Sequence, residues 1–595
     1  MKDRKDIDLN YTWNLEAIYK NNEEFDKDYN LVKEKIKKLS EYENNMNDNS
    51  GTFYQTISLS FDIERWIDKL SVYASLSFDL DTSNNKLQEL GERVSNLRNL
   101  YDSTSYFIVP SILKLDYSVI EKYMEEEPKL KDYEVSLKNI YRYKEHTLSD
   151  EEERLISKIG KIVGNNYDTY ELFKDCDMSF DNIKDEDGNQ VELNNSTYSL
   201  FIESKVRGVR EDAFKSLYKE YKKYANTFAS LISSNMKELT TIAKIKKYNS
   251  AIEMSLFHDE VNISVYNNLI DSVHSHIDYI YDYYKLKKER LGLDELHLYD
   301  VYTPMGNDYD KKYSYEEAKE EILKVLSVFG EEYVSKVKEA LNNRWIDVYP
   351  TKAKRTGGYS GGSYDTYPYI LLNYQDKYND MSTLIHEMGH SMHSYYSRTC
   401  NSYQNSEYHI FVAEVASTVN ELLLSYYMIE HSNSKEEKLF ILNNLLELYR
   451  ATIYRQTMFA EFEKNISNLV DKEEALTADK LSSMYYDLNK FYFGENLVVD
   501  DEIRYEWERI PHFYYDFYVY KYAIGLSAAT VIVKNILSGK KDAVNNYIEF
   551  LKCGGRASPL ESLKIAGVDL TKKEVIDSAL VEFKIIFNMY EESIK

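Results

Sequence analysis

"YNDMSTLIHEMGHSMHSYY", residues 378–396, gathers three of the chain's 11 histidines into eight positions. Met381, Leu384, Ile385, Met388 and Met392 recur there at helical spacing with no proline between them, which predicts a partly buried helix. His386 and His390 stand at i and i+4, about 40° apart around the axis, so two imidazoles share one face within reach of a single ion. His-Glu-x-x-His in this setting is the arrangement in which two neutral imidazoles hold zinc while the intervening Glu387 acts as general base on a water. Chance yields about two such matches per hundred chains of this length, so a third ligand is required. Without one, the same residues describe an amphipathic helix whose histidines cap an edge of the core. His393, three positions past His390, falls a turn beyond the shared point and reads as a neighbour of the site.

A closed structural zinc site would call for more Cys or His, whereas a hydrolytic one takes three protein ligands and leaves a fourth position open. Downstream, "YHIFVAEVASTVNELLLSYYMIE", residues 408–430, is an apolar helix carrying Glu414 and Glu421 on nearly the same face. Carboxylates in so apolar a context need partners. The chain between His390 and Glu414 is long enough to end one helix, turn, and bring a second back beside it. The expected ligands of one zinc ion are therefore His386, His390 and Glu414. Glu421, two turns further on, either fixes a ligand histidine through its other ring nitrogen or stands as a helix-end surface carboxylate.

Upstream lies "KRTGGYSGGSYDTYPYILLNY", residues 354–374. Gly357, Gly358, Gly361 and Gly362 crowd into six positions of a chain with 20 glycines, directly before a β-leaning run over 367–374. No Gly-Lys-Ser/Thr follows, so this is not a phosphate-binding loop. It reads as a lid or backbone-binding loop in which Gly357 and Gly358 contact substrate, or else as a plain tight turn into a strand. An extended peptide pairing with the edge of that strand would lie across the metal. His274 and His276, at i and i+2, point to different faces, which argues against a joint metal role.

Helical periodicity runs from about residue 15 to 170 and resumes near 211. Between them "MSFDNIKDEDGNQVELNN", residues 178–195, sets Asp-Gly between two short alternating runs and predicts a β-hairpin. A boundary near Thr197 divides an N-terminal helical region, 1–197, from a catalytic region, 198–595. With only 7 Pro and no Pro/Gly/Ser-rich linker, the expectation is a mostly α, continuous body with a small β element near the site. The net charge of −26 disfavours nucleic acid as a partner. Cys176, Cys400 and Cys553 are odd in number and widely spaced, which suits a reducing compartment. The charged opening "MKDRKDIDLNYTWNLEAIY" has no apolar core of its own and nothing later approaches a membrane span, so a cytoplasmic location without membrane attachment is expected.

"HEMGHSMH" followed by "FVAEVASTVNE" resembles the thimet oligopeptidase family of zinc peptidases. The whole chain looks most like its oligoendopeptidase F branch, through "YTWNLEAIY", "DEDGNQVEL", "KRTGGYSGG", "YPYILLNY" and "RIPHFYYDFYVYKYAIG". The resemblance implies a zincin-like, mostly helical body divided by a deep substrate channel that admits short unstructured peptides. It matches His386, His390 and Glu414 to the zinc ligands, Glu387 to the general base, and Glu421 to the carboxylate seven residues beyond the ligand glutamate. If the late segment is helical, His512, Tyr515, Tyr518 and Tyr522 lie along one side, where imidazole and phenol donors would hold a developing oxyanion. His512 and Tyr522 are the expected catalytic donors and Tyr515 and Tyr518 the substrate-binding ones, with the tyrosine that faces the oxyanion left open.

The implied activity is that of a zinc-dependent endopeptidase cutting internal bonds of short oligopeptides, from a monomer or small homo-oligomer. A zinc carboxypeptidase or dipeptidase on a similar channel fold is the alternative, and a basic residue such as Arg455 or Arg504 would then pair with the substrate's terminal carboxylate. A silent peptide-binding protein is a third reading, against which the presence of Glu387 argues.

Overall fold

The computed structural model describes residues 3–306 and 309–595. Helix accounts for 71% of it, as the periodicity predicts, and strand among the described residues is confined to two small sheets. One is the expected hairpin, in which β1 (Ile183–Lys184) pairs antiparallel with β2 (Gln190–Val191). Its turn closes because the Asp185 carboxylate accepts the N–H groups of Asp187 and Asn189, at 3.0 and 2.8 Å, while Gly188 supplies the positive φ of 83°.

The second sheet comprises β3 (Ile346–Asp347), β4 (Tyr359–Gly361) and β5 (Tyr369–Leu371), in the order β3-β5-β4. This corrects one expectation. The run over 367–374 does form a strand, but it is central: parallel β3 takes one side, antiparallel β4 takes the other, and Tyr369, Ile370 and Leu371 are all buried. A peptide adding itself to this sheet beside β4 would pair with the glycine-rich segment, which supplies that edge.

The chain packs as two compact units, one of Met1–Glu145, Asp310–Tyr427 and Ile532–Val568, the other of His146–Tyr309, Met428–Val531 and Asp569–Lys595. In the first, α1 (Asn22–Leu39), α2 (Ser50–Leu80) and α3 (Asn85–Ser105) build a helical core. Helix α1 shows why these segments coil. The Asn21 side chain accepts the Glu24 N–H at 3.0 Å, acids stand in the first turn and Lys37 and Lys38 in the last, and Phe25, Tyr29, Val32, Ile36 and Leu39 form its buried face.

The second sheet belongs to the same unit and is tied to the chain's opening segment. Trp13 donates its indole N–H to the Ile370 carbonyl at 2.8 Å and its backbone N–H to Asp347 at 3.2 Å. Asp347 is buried between Arg4 and Lys354, at 2.5 and 2.8 Å. Burial would raise its pKa, but the two cations hold it below the usual carboxylate range.

Beyond β5 the Asp380 carboxylate accepts the N–H groups of Gln375 and Lys377, at 2.9 and 2.8 Å, and α4 (Tyr378–Cys400) begins. Its stripe of Met381, Leu384, Ile385, Met388 and Met392 is fully buried. Each such side chain taken from water contributes about 1.5–3 kcal/mol, which fixes the face the histidines must occupy. Helix α5 (Ile410–Glu430) returns alongside.

In the second unit α6 (Arg455–Asp471) and the start of α7 (Tyr520–Leu537) enclose an aromatic core, with Phe513 packed 5.5 Å from Phe459 and 5.1 Å from Phe462 between ring centroids. Among the described residues no helix is long and apolar enough to cross a membrane.

Candidate metal and catalytic centre

One helical turn separates His386 from His390 on α4, and their Nε2 atoms lie 3.2 Å apart. Across from them on α5, Glu414 Oε2 stands 3.5 Å from the first and 3.6 Å from the second. These three side chains are the one group of potential metal ligands found among the described residues. Glu421 Oε1 lies 3.3 Å from His386 Nδ1, on the side of the ring facing away from the cluster, though not in full hydrogen-bond alignment. Glu387 is 7% exposed and stands beside the pair.

Two contacts the sequence reading missed bring the helices together. A Cβ on Gly389 would lie 2.6 Å from the Ser417 Cα and 2.7 Å from the Ala416 carbonyl, so only glycine lets α4 and α5 approach this closely. Asn420 donates its side-chain N–H to the Ile385 carbonyl at 3.0 Å. The signal for Gly389 is visible in retrospect: a mid-helix glycine costs about 1 kcal/mol in propensity and needs a packing reason.

The electrostatics of the cluster favour positive charge at its centre. Burial works to lower the His386 pKa, yet Glu414 and Glu421 carry it up to about 10. Hydrogen bonding to His386 and His390 holds Glu414 far below the usual carboxylate range, while burial raises Glu387 against the pull of the same histidines. His393 is fully buried, its ring stacked 3.7 Å from that of Tyr408, and burial drives its pKa down to about 3.

The glycine-rich loop borders α4. A Cβ on Gly358 would meet Thr383 at 2.9 Å, Gly357 adopts φ +85° and accepts from Asn373 at 2.8 Å, and Ser360 of β4 bonds Ser391 at 2.8 Å. Close packing on α4 therefore explains Gly358 whether or not substrate touches it.

In the second unit the late segment departs from expectation. It is not one helix: a 3-10 turn over Pro511–Tyr514 gives way to Asp516 and Phe517, with φ of 50° and 63°, and α7 starts only at Tyr520. The common face drawn on a continuous helix does not exist. The kink nevertheless gathers the same side chains, with Tyr522 Oη 3.5 Å from His512 Nε2, the His512 ring 5.3 Å from that of Tyr515, and the Tyr518 ring 5.3 Å from that of Tyr522. Tyr515 is 39% exposed and its hydroxyl lies 2.6 Å from that of Tyr167. Burial lowers the His512 pKa.

Comparison with known proteins bears on these clusters. The sequence model of Peptidase family M3 matches residues 200–582, and that of Oligopeptidase F matches 111–180. The chain belongs to peptidase family M3. Its relatives include the oligopeptidase PepF of Bacillus subtilis (strain 168), 41% identical over 592 residues that cover 100% of this chain and 88% of the relative. The plasmid-encoded oligoendopeptidase F of Lactococcus lactis subsp. cremoris is 37% identical, covering 98% of this chain and 97% of its own. A crystal structure of oligoendopeptidase-F from Enterococcus faecium superposes with a TM-score of 0.75 at 34% identity, covering 96% of this chain and 99% of that one. The resemblance drawn from "HEMGHSMH" and "FVAEVASTVNE" thus extends over the whole chain.

For an M3 peptidase the donor set can be tested against a metal. Ligand atoms held tetrahedrally at about 2.0–2.1 Å from one ion stand about 3.3–3.4 Å from each other. The separations of 3.2, 3.5 and 3.6 Å between the two imidazole nitrogens and the carboxylate oxygen are of that size. Two imidazoles and a carboxylate are also a hydrolytic donor set rather than a closed structural one. The residues fit a divalent metal. Of the two arginines considered for a terminal carboxylate, Arg455 is already paired with Glu506 at 2.8 Å, and Arg504 with Asp501 while lying over Tyr486.

Proposed function

We propose that this M3 peptidase is a zinc-dependent endopeptidase that hydrolyses internal bonds of short unstructured oligopeptides. The observation that carries the reading is the convergence of His386, His390 and Glu414 on one point with Glu387 buried beside it. The names of the relatives, oligopeptidase and oligoendopeptidase, support the substrate class.

His386, His390 and Glu414 would hold the ion. When bound, zinc supplies Lewis acidity, lowering the pKa of a water and polarising a peptide carbonyl. Glu387 takes a proton from the attacking water and delivers it to the departing amine. Glu421 orients His386 through Nδ1, keeping Nε2 turned to the ligand position. Tyr522 and neutral His512 donate hydrogen bonds to the carbonyl oxygen as it gains charge. Tyr515 and Tyr518, with Gly357 and Gly358, contact the peptide. No covalent intermediate is required. We place the boundary of the catalytic region near Thr197 and the protein's work in the cytoplasm, where three free cysteines are at home.

The test is cleavage of an internally quenched peptide blocked at both ends, by wild type and Glu387→Gln at matched zinc content. Cutting by wild type and none by the variant is the expected result. Trimming of a free-ended peptide without cutting of the blocked one would replace the endopeptidase by an exopeptidase, and silence of zinc-loaded enzyme on both would remove catalysis.

A further inference from the structure

The kink at Asp516 and Phe517 demands an explanation, because two consecutive non-glycine residues in the left-handed region persist only where surroundings enforce them. The enforcing group is on α6. Glu463 is 0% exposed, and its Oε1 accepts the backbone N–H of Phe517 at 2.8 Å. Its Oε2 is buried and has no hydrogen-bond partner among the described residues. The Phe517 ring is also fully buried, 6.4 Å from that of Tyr266, and Ser255 donates its hydroxyl to the Asp516 carbonyl.

A buried carboxyl beside another acid, Asp516, is costly unless its bond has a purpose. Here it accepts the backbone N–H of Phe517, the second of the two residues in the left-handed region. The chain reverses at this point, which lets His512 and Tyr522, ten residues apart, come within 3.5 Å. Nothing in the proposed chemistry uses Glu463 directly.

We infer that Glu463 is a positioning residue: by accepting the Phe517 N–H it holds the left-handed turn that brings His512 and Tyr522 together. This rests on the oxyanion role proposed for that pair. Burial pushes the Glu463 carboxyl well above its usual range, with the Phe517 N–H opposing and Asp516 adding to the rise, and a glutamine amide keeps a carbonyl acceptor at the same length. Methionine has the length but not the acceptor.

The experiment compares wild type, Glu463→Gln and Glu463→Met by kcat and KM on the quenched peptide, by zinc content, and by hydrogen exchange over residues 513–519. Glu463→Gln is expected to keep kcat within about threefold, whereas Glu463→Met loses at least about tenfold in kcat at unchanged zinc content and KM, with faster exchange at Phe517. Wild-type kcat in Glu463→Met, or a fall in Glu463→Gln as deep as in Glu463→Met, overturns the inference. Should Glu463→Met not fold, the wild type alone decides: a Phe517 amide that exchanges as fast as an exposed loop overturns the clamp. Full activity in both His512→Gln and Tyr522→Phe would instead overturn the oxyanion reading and the catalytic consequence with it, leaving the exchange result standing, so the two failures are separable.

Discussion

Gly389 on α4 rests against Ser417 on α5, so close that an added Cβ would sit 2.6 Å from the Ser417 Cα. Three residues before that contact is Glu414, and on either side of Gly389 are His386 and His390. The distance between the helices at this point therefore sets the distance between Glu414 and the two histidines. Gly389→Ala should force the helices apart, costing about 1–3 kcal/mol of stability as overpacking does. Zinc retention against a competing chelator should fall by at least about tenfold. Unchanged zinc affinity and melting temperature would show that α5 yields without moving Glu414.

Glu421 meets His386 on the far side of the ring, at 3.3 Å from Nδ1. If Glu421 orients the imidazole as proposed, Glu421→Gln should weaken metal binding about 10–100-fold, because the charge facing Nδ1 is neutralised. Glu430→Gln, at the exposed end of the same helix, serves as the control. Equal zinc affinity in the two variants would reduce Glu421 to a bystander.

Tyr522 and His512 are proposed to act on the transition state rather than on bound substrate. Tyr522→Phe should then lower kcat by about 10²–10³-fold with KM nearly unchanged. Tyr515→Phe, which loses the 2.6 Å contact with the Tyr167 hydroxyl, should act mainly on KM. An equal effect of both on KM alone would assign the whole cluster to binding.

Glu508 is 1% exposed, and neither carboxyl oxygen has a hydrogen-bond partner among the described residues. Burial pushes its pKa up to about 10. Unfolded glutamate titrates near about 4.3, so between these values the folded chain keeps a proton that the unfolded chain has released, and stability falls as pH rises. Glu508→Gln removes that loss. Its advantage over wild type in urea or thermal unfolding should grow between pH 6 and pH 8, by up to about 2.7 kcal/mol. A constant difference across that range would mean Glu508 ionises in the folded state.

What the sequence determined by itself is the part of this protein governed by local geometry. Four residues of helix bring His386 and His390 to one face, seven bring Glu414 and Glu421 to another, and Asp187-Gly188 permits the hairpin turn, because helical pitch and turn dihedrals belong to the chain's own stereochemistry. Tertiary structure alone decided the rest. The run over 367–374 became a central strand because Ile346–Asp347 paired with it, a partner that alternation of apolar residues cannot specify. The late segment broke at Asp516 and Phe517 although both can enter a helix, because a carboxyl on α6, more than fifty residues earlier, holds the Phe517 N–H that a continuing helix would have directed to the carbonyl four residues before it. Gly389, a poor helix former in mid-helix, is explained only by Ser417 lying against it. In each case the deciding energy comes from a contact between residues distant in sequence, and no local pattern records which distant residue will arrive.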